Sequence, residues 1–125
     1  MSKRGHAFFI TLALFILIAA ACQPEPTGQE LIEQGEEVYT VSCSRCHQPD
    51  GMGVDPVYPE LAGNAFVTVR EPHRVVDVVV NGRGGMPPFR DALSREEIAA
   101  VVSYIRNAWG NQASIVTTGQ VVAPD

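Results

Sequence analysis

Three stretches of the chain carry apolar residues at helical spacing. In the first, Leu31, Ile32, Val38 and Tyr39, with small Gly35 among them, recur three and four apart on an otherwise acidic segment that starts at Gln29 and runs into two cysteines. The second opens at Pro72, a residue suited to a first helical turn, continues through Val80 and is stopped by Asn81 and Gly82. The third is the most clearly marked. Ser94 stands three residues before Glu97 as a capping box, and Ile98, Val101, Val102, Ile105 and Trp109 form one stripe that ends at Gly110.

Between these segments the pattern breaks. Prolines 49, 56 and 59 and glycines 51, 53 and 63 forbid a long regular element across 48–63. The tail, 111–125, is rich in Val, Thr and Gly without clear periodicity, and reads as extended chain that can pack in part on the body. No alternation of strand type and no internal repeat is present. The predicted class is all-α, with three to five short helices and long loops.

The N-terminal end has another character. Lys3 and Arg4 precede the uncharged stretch 7–21, which closes on Ala19, Ala20 and Ala21 before Cys22. A basic start, an apolar middle and small residues at a cleavage point describe an export signal. The stretch is shorter than the roughly 20 apolar residues that cross a bilayer. Residues 1–21 are therefore predicted to be a signal peptide, 22–29 a proline-bearing tether (QPEPTG), 30–110 the folded domain and 111–125 the tail.

Charge narrows the function. The 125 residues hold 9 Lys and Arg against 14 Asp and Glu. Loss of 1–21 removes Lys3 and Arg4, leaving only arginines and a net charge near −7. A nucleic-acid-binding face would need the opposite sign. Three cysteines, an odd number, argue against a disulfide-stapled scaffold. About 80 ordered residues in short helices also make a thin core, so a non-protein group is expected to fill the middle.

Candidate chemistry is concentrated in Cys43-Ser44-Arg45-Cys46-His47. Thiols three apart lie on one side of a helical turn, where they can form thioethers with the two vinyl groups along a porphyrin edge, and the adjacent imidazole can reach the iron. The C-x-x-C-H spacing is read as covalent haem attachment. Two alternatives use the same residues. A redox-active C-x-x-C belongs in a βαβ setting, which the pattern lacks. A zinc site would need a fourth ligand beside Cys43, Cys46 and His47, and only His73 remains.

An electron-transfer haem needs a second axial ligand, and Met52, Met86 and His73 are the candidates in the exported part. Met52 follows His47 too closely to travel around the macrocycle, and His73 reads as a solvated helix residue. Met86 sits in NGRGGMPPF, where glycines permit close backbone approach and prolines stiffen the next turn, and it is the predicted ligand. Trp109 and Tyr104 are assigned to a helix seam, with a haem propionate as the other possible partner. Arg45, Arg83 and Arg90 read as solvated surface, again with a propionate as the alternative.

Taken in order, Gly35 and Tyr39, CSRCH, QPDGMG, YPELAG, NGRGGMPPF and LSREEIAAVVSYIR resemble a bacterial class I monohaem cytochrome c over about Glu30 to Trp109. The resemblance implies a fold in which the first and last helices cross near Gly35 and Tyr104. It also implies that the Pro59 carbonyl accepts from His47 Nδ1 and that Leu61 packs on the haem. The end of the chain is similar to cytochrome domains attached to bacterial dehydrogenases and terminal oxidases. The surface lysines of mitochondrial-type relatives are missing.

Ile18 to Cys22 resembles the lipobox of bacterial lipoproteins, with Ala19 where Leu is usual, which makes Cys22 the expected lipidation site. Acyl chains there would hold the domain at a membrane. The expectation is a monomeric one-electron carrier, not an enzyme. It carries one covalent haem c with His47 and Met86 on the iron, sits on the extracytoplasmic face of a bacterial membrane, and exchanges electrons with a dehydrogenase, a quinol-oxidising complex or a terminal oxidase. Two other readings are a fixed subunit of such a complex, and a haem enzyme or gas sensor with a labile methionine.

Overall fold

The computed structural model describes residues 25–122; the expected signal peptide, the cleavage point and Cys22 lie outside them. The described residues form four α-helices in order: α1 (Gly28–Ser42), α2 (Ser44–His47), α3 (His73–Asn81) and α4 (Arg95–Ile105), with a 3₁₀ turn at Thr118–Gln120. Among the described residues extended pairing is limited to two isolated bridges, Val54 with Tyr58 and Arg83 with Met86. The all-α expectation holds.

Helix α1 starts one residue earlier than its apolar pattern suggested, because Thr27 caps it. The Thr27 backbone N–H donates to Glu30 Oε2 at 2.7 Å, and Thr27 Oγ1 accepts from the Glu30 N–H at 3.3 Å. This T-x-x-E signature spans the junction of the expected tether, 22–29, and the expected domain. Ser94 and Glu97 make the same reciprocal pair at the start of α4, at 2.8 and 3.1 Å. Pro72 stands just before α3, and Gly82 ends it with its N–H on the Val78 carbonyl.

The expected reach of α4 to Trp109 needs correction. The α-helix ends at Ile105; residues 106–110 form turns, and Trp109 takes φ 53 followed by Gly110 at φ 85. Two left-handed residues in succession reverse the chain, so Trp109 leaves the stripe it seemed to extend.

Helices α1 and α4 cross at Gly35. A Cβ there would fall inside the Ala100 carbonyl and 2.7 Å from Tyr104 Cβ, so only glycine permits this approach. Leu31 and Tyr39 of α1, Val75, Val76, Val79 and Val80 of α3, and Ile98, Val101, Val102 and Ile105 of α4 form one buried cluster. Each such side chain contributes roughly 1.5–3 kcal/mol of burial.

The tail is part of this core. Val116 and Val121 are buried, and Ser103 Oγ on α4 accepts from the Val116 N–H at 2.8 Å. Arg106 joins the tail to a distant loop. The residue is fully buried, with Nη1 donating to the carbonyls of Val67 and Val69 at 2.8 Å each, Nε to the Ser114 carbonyl at 3.0 Å and Nη2 to Ser114 Oγ at 3.1 Å. Four bonds to neutral oxygens replace its hydration, and burial lowers its pKa from the ordinary guanidinium value.

Candidate functional site

Cysteines 43 and 46 are both free; Cys43 stands just before the one-turn helix α2 and Cys46 within it, next to His47 at its end. The Cys46 and His47 N–H groups both donate to the Cys43 carbonyl, at 3.1 and 3.0 Å, which brings the two thiol-bearing residues and the imidazole onto one turn. Burial, and after it the neighbouring Cys46, pushes the Cys43 thiol up to about 11, so it is held protonated at neutral pH.

His47 is buried, and its Nδ1 lies 2.9 Å from the Pro59 carbonyl oxygen. A carbonyl can only accept, so the ring proton belongs on Nδ1 and Nε2 is left with its lone pair free. The turn that follows is gripped from the α1–α4 seam. Tyr39 donates its hydroxyl to the Gln48 carbonyl at 2.6 Å, Trp109 donates its indole N–H to the Pro49 carbonyl at 3.1 Å, and the Gly53 N–H returns to the His47 carbonyl at 3.0 Å. The Trp109 indole is therefore spent on a backbone carbonyl instead of a propionate. Tyr39, Tyr104 and Trp109 form a triad with ring centroids 5.0–5.5 Å apart.

Met86 is presented by a different turn. Arg83 and Met86 exchange two backbone hydrogen bonds of 3.0 Å around Gly84 and Gly85, and the Phe89 N–H donates to the Val79 carbonyl at 3.0 Å, which fastens the turn to the end of α3. A Cβ on Gly82, at φ 75, would come within 2.5 Å of the Met86 carbonyl oxygen, so the close backbone approach expected of this loop is real. Met86 and Leu61 are half-buried against the core, Pro59 is exposed, and Met52 is 55 % exposed on its own loop. His73 is exposed at the start of α3.

The three flanking arginines are on the surface. Arg83 lies over the Phe66 ring at 4.8 Å, with Arg74 at 5.4 Å from the same ring. Arg90 donates to Asn81 Oδ1 at 2.8 Å and lies 3.8 Å from Asp91, and Arg45 is exposed. Among the described residues no three His, Cys, Asp or Glu side chains converge as a metal cage, which removes the geometry for the zinc alternative.

The donor set fits a haem. It offers two unpaired thiols on one turn, an imidazole with its tautomer fixed by a carbonyl, and a thioether on a stiff glycine-backed loop. Two residues central to this scaffold carry no mark in the sequence: Arg106, the last residue of the LSREEIAAVVSYIR segment, and Asn111, the first residue of the tail. No local signal distinguishes either, since their partners are 6 to 50 residues away.

A family model described as cytochrome c oxidase, cbb3-type, subunit III matches residues 30–105. The chain is 37 % identical over 111 residues to the cytochrome c subunit of alcohol dehydrogenase (quinone) from Gluconacetobacter polyoxogenes, covering 79 % of this chain and 23 % of that protein. It is 31 % identical over 105 residues to the gluconate 2-dehydrogenase cytochrome c subunit of Pantoea cypripedii, covering 73 % and 23 %. It is 29 % identical over 120 residues to cytochrome c-552 of Thermus thermophilus, covering 84 % and 75 %. The chain thus spans under a quarter of the dehydrogenase subunits and three quarters of cytochrome c-552.

Proposed function

Because the chain belongs to the cytochrome c family described as cytochrome c oxidase, cbb3-type, subunit III, an electron-transfer protein with haem c as cofactor, we propose that it holds one haem through Cys43 and Cys46, with His47 and Met86 as axial ligands. The observation that carries the reading is the 2.9 Å contact of His47 Nδ1 with the Pro59 carbonyl, directly after the paired thiols. It leaves Nε2 as a neutral metal ligand of fixed orientation and raised basicity.

Each residue then has a distinct task. The thiols of Cys43 and Cys46 would hold the haem as thioethers, by addition of S–H across its two vinyl groups without net oxidation. His47 Nε2 and Met86 Sδ would be the protein's two ligands to the iron, and with both in place neither would leave room for a substrate on the metal. When bound, haem would supply one-electron chemistry at iron, and a methionine ligand would raise its potential.

The test is ligand replacement. Met86→Ala is expected to abolish the sulfur-to-iron absorption band, lower the potential and let carbon monoxide bind the reduced protein, while Met52→Ala does none of these. If the Met52 variant shows the loss instead, the assignment of the loop fails.

The mature domain works at the extracytoplasmic side of a membrane as a monomer tethered through lipidated Cys22. This rests on the basic, apolar and small-residue order of 1–21 and the lone cysteine after it. Mass spectrometry should find a mature chain that starts at Cys22 with added acyl groups; an unmodified Cys22 or another start removes the lipid anchor. Redox partners are dehydrogenases or oxidases of the same membrane. Residence as a fixed subunit is the second reading, favoured by the relatives that are dehydrogenase subunits. A free carrier leaves native membranes alone on purification, and a subunit leaves with its complex.

A further inference from the structure

Asn111 is 5 % exposed and uses its whole carboxamide. Nδ2 donates to the Leu61 carbonyl at 3.0 Å and to the Ile105 carbonyl at 2.8 Å, and Oδ1 accepts from the Gly63 N–H at 2.9 Å. Leu61 and Gly63 present a carbonyl and an N–H two residues apart, as a strand edge would, and a carboxamide offers the matching donor and acceptor. Its second N–H meets one of the carbonyls left free at the end of α4. A carboxylate could accept but not donate, and a hydroxyl is too short to span the three partners.

Pro59 lies two residues before the segment so held. On its other side the Leu61 and Ala62 N–H groups donate to the Gly51 carbonyl at 2.7 and 3.1 Å. The other side chain that reaches this stretch, Asn64 on the Glu60 carbonyl at 2.8 Å, is local and exposed. Among the described residues Asn111 is thus the side chain that ties the stretch to the α4 framework.

We propose that Asn111 is a positioning residue for His47: by clamping 61–63 to the end of α4 it fixes the Pro59 carbonyl that accepts from His47 Nδ1. The proposal rests on the reading of His47 as the iron ligand. A hydrogen-bonded Nδ1–H makes the imidazole a stronger donor and favours the ferric state. Loosening the Pro59 carbonyl weakens that bond and raises the potential.

The experiment compares wild-type holoprotein with Asn111→Ala, Asn111→Asp and, as a control, Ser103→Ala, which also cuts the tail from α4 but through Val116. Pyridine haemochrome spectra first report covalent haem in each; its absence from the wild type overturns the haem reading itself. With haem present, both Asn111 variants should show an upward shift in midpoint potential and exchange of the His47 Nδ1 proton about tenfold faster in the ferrous protein. Ser103→Ala should lower the melting temperature and leave potential and ring-proton exchange unchanged. Asn111 variants that melt earlier with wild-type potential and exchange would make the residue structural only and overturn the proposal. If neither variant retains haem, the wild type decides: the Gly63 N–H and the His47 Nδ1 proton must exchange through a common opening as denaturant is raised. A His47 proton still protected after Gly63 has exchanged overturns it.

Discussion

Trp109 and Pro49, 60 residues apart, meet through a 3.1 Å hydrogen bond from the indole Nε1 to the carbonyl oxygen. The indole also lies on Gly51, where a Cβ would come within 2.5 Å of the ring. The turn after the candidate ligand is thereby held by a residue from the far end of the domain, and the left-handed backbone at Trp109 and Gly110 is what aims the ring there.

Trp109→Phe keeps an aromatic ring on Gly51 but removes the donor. The carbonyl of exposed Pro49 then turns to water, and a loss of about 1 kcal/mol is expected. Denaturant unfolding of the holoprotein measures it, and a stability equal to wild type would show that the hydrogen bond contributes nothing.

Gly35→Ala tests the helix crossing. The new methyl would overlap the Ala100 carbonyl, which is backbone and cannot swing away, so α1 and α4 must separate and loosen the Tyr39–Tyr104 contact. Overpacking of this kind costs roughly 1–3 kcal/mol or more. Thermal melting should show a clear drop, larger than that of an alanine at exposed Gln34.

Alkaline pH should destabilise the domain through Tyr39. Burial, then Cys43, Tyr104 and Asp50, raises its phenol well above the ordinary value of 10.0, because the charged form would lose water and could no longer donate to the Gln48 carbonyl. A raised folded value means that the contribution is fully present below the unfolded value and is lost as pH rises through the folded one. Thioether formation at Cys43 would remove that neighbour's part and leave burial as the leading cause. Unfolding midpoints measured upward from about pH 9 should fall in the wild type and fall less in Tyr39→Phe. Tyr104, also raised by burial, supplies the remaining slope. Equal slopes in the two proteins would locate the alkaline loss elsewhere.

Arg106 should resist conservative replacement. Arg106→Met leaves the carbonyls of Val67, Val69 and Ser114 without their donor, at a cost of about 3 kcal/mol. Arg106→Lys should recover little, since a point ammonium cannot match the fork of a guanidinium that reaches both 67–69 and 114. Chemical denaturation of the two variants provides the comparison; full recovery with lysine would mean that charge, and not the planar fork, holds the tail.

Much of the candidate site was legible in the linear chain because its chemistry is local. The two thiols and the imidazole fall within five consecutive residues, Met86 stands in a turn written by its own glycines and prolines, and Ser94 with Glu97 marks the start of α4 by a bond three residues long. Thr27 and Glu30 carry the same local signal for α1. What the tertiary structure decided is of another kind. Arg106 and Asn111 have no neighbours in sequence that reveal their burial; their partners are backbone atoms on loops brought together only when α1, α3 and α4 have packed. Trp109 continues the α4 stripe by spacing, yet its backbone turns left-handed and sends the indole to Pro49 instead. Backbone carbonyls and amides are the same at every residue, so a side chain that binds them leaves no mark on the sequence, and only the folded chain shows which ones it meets.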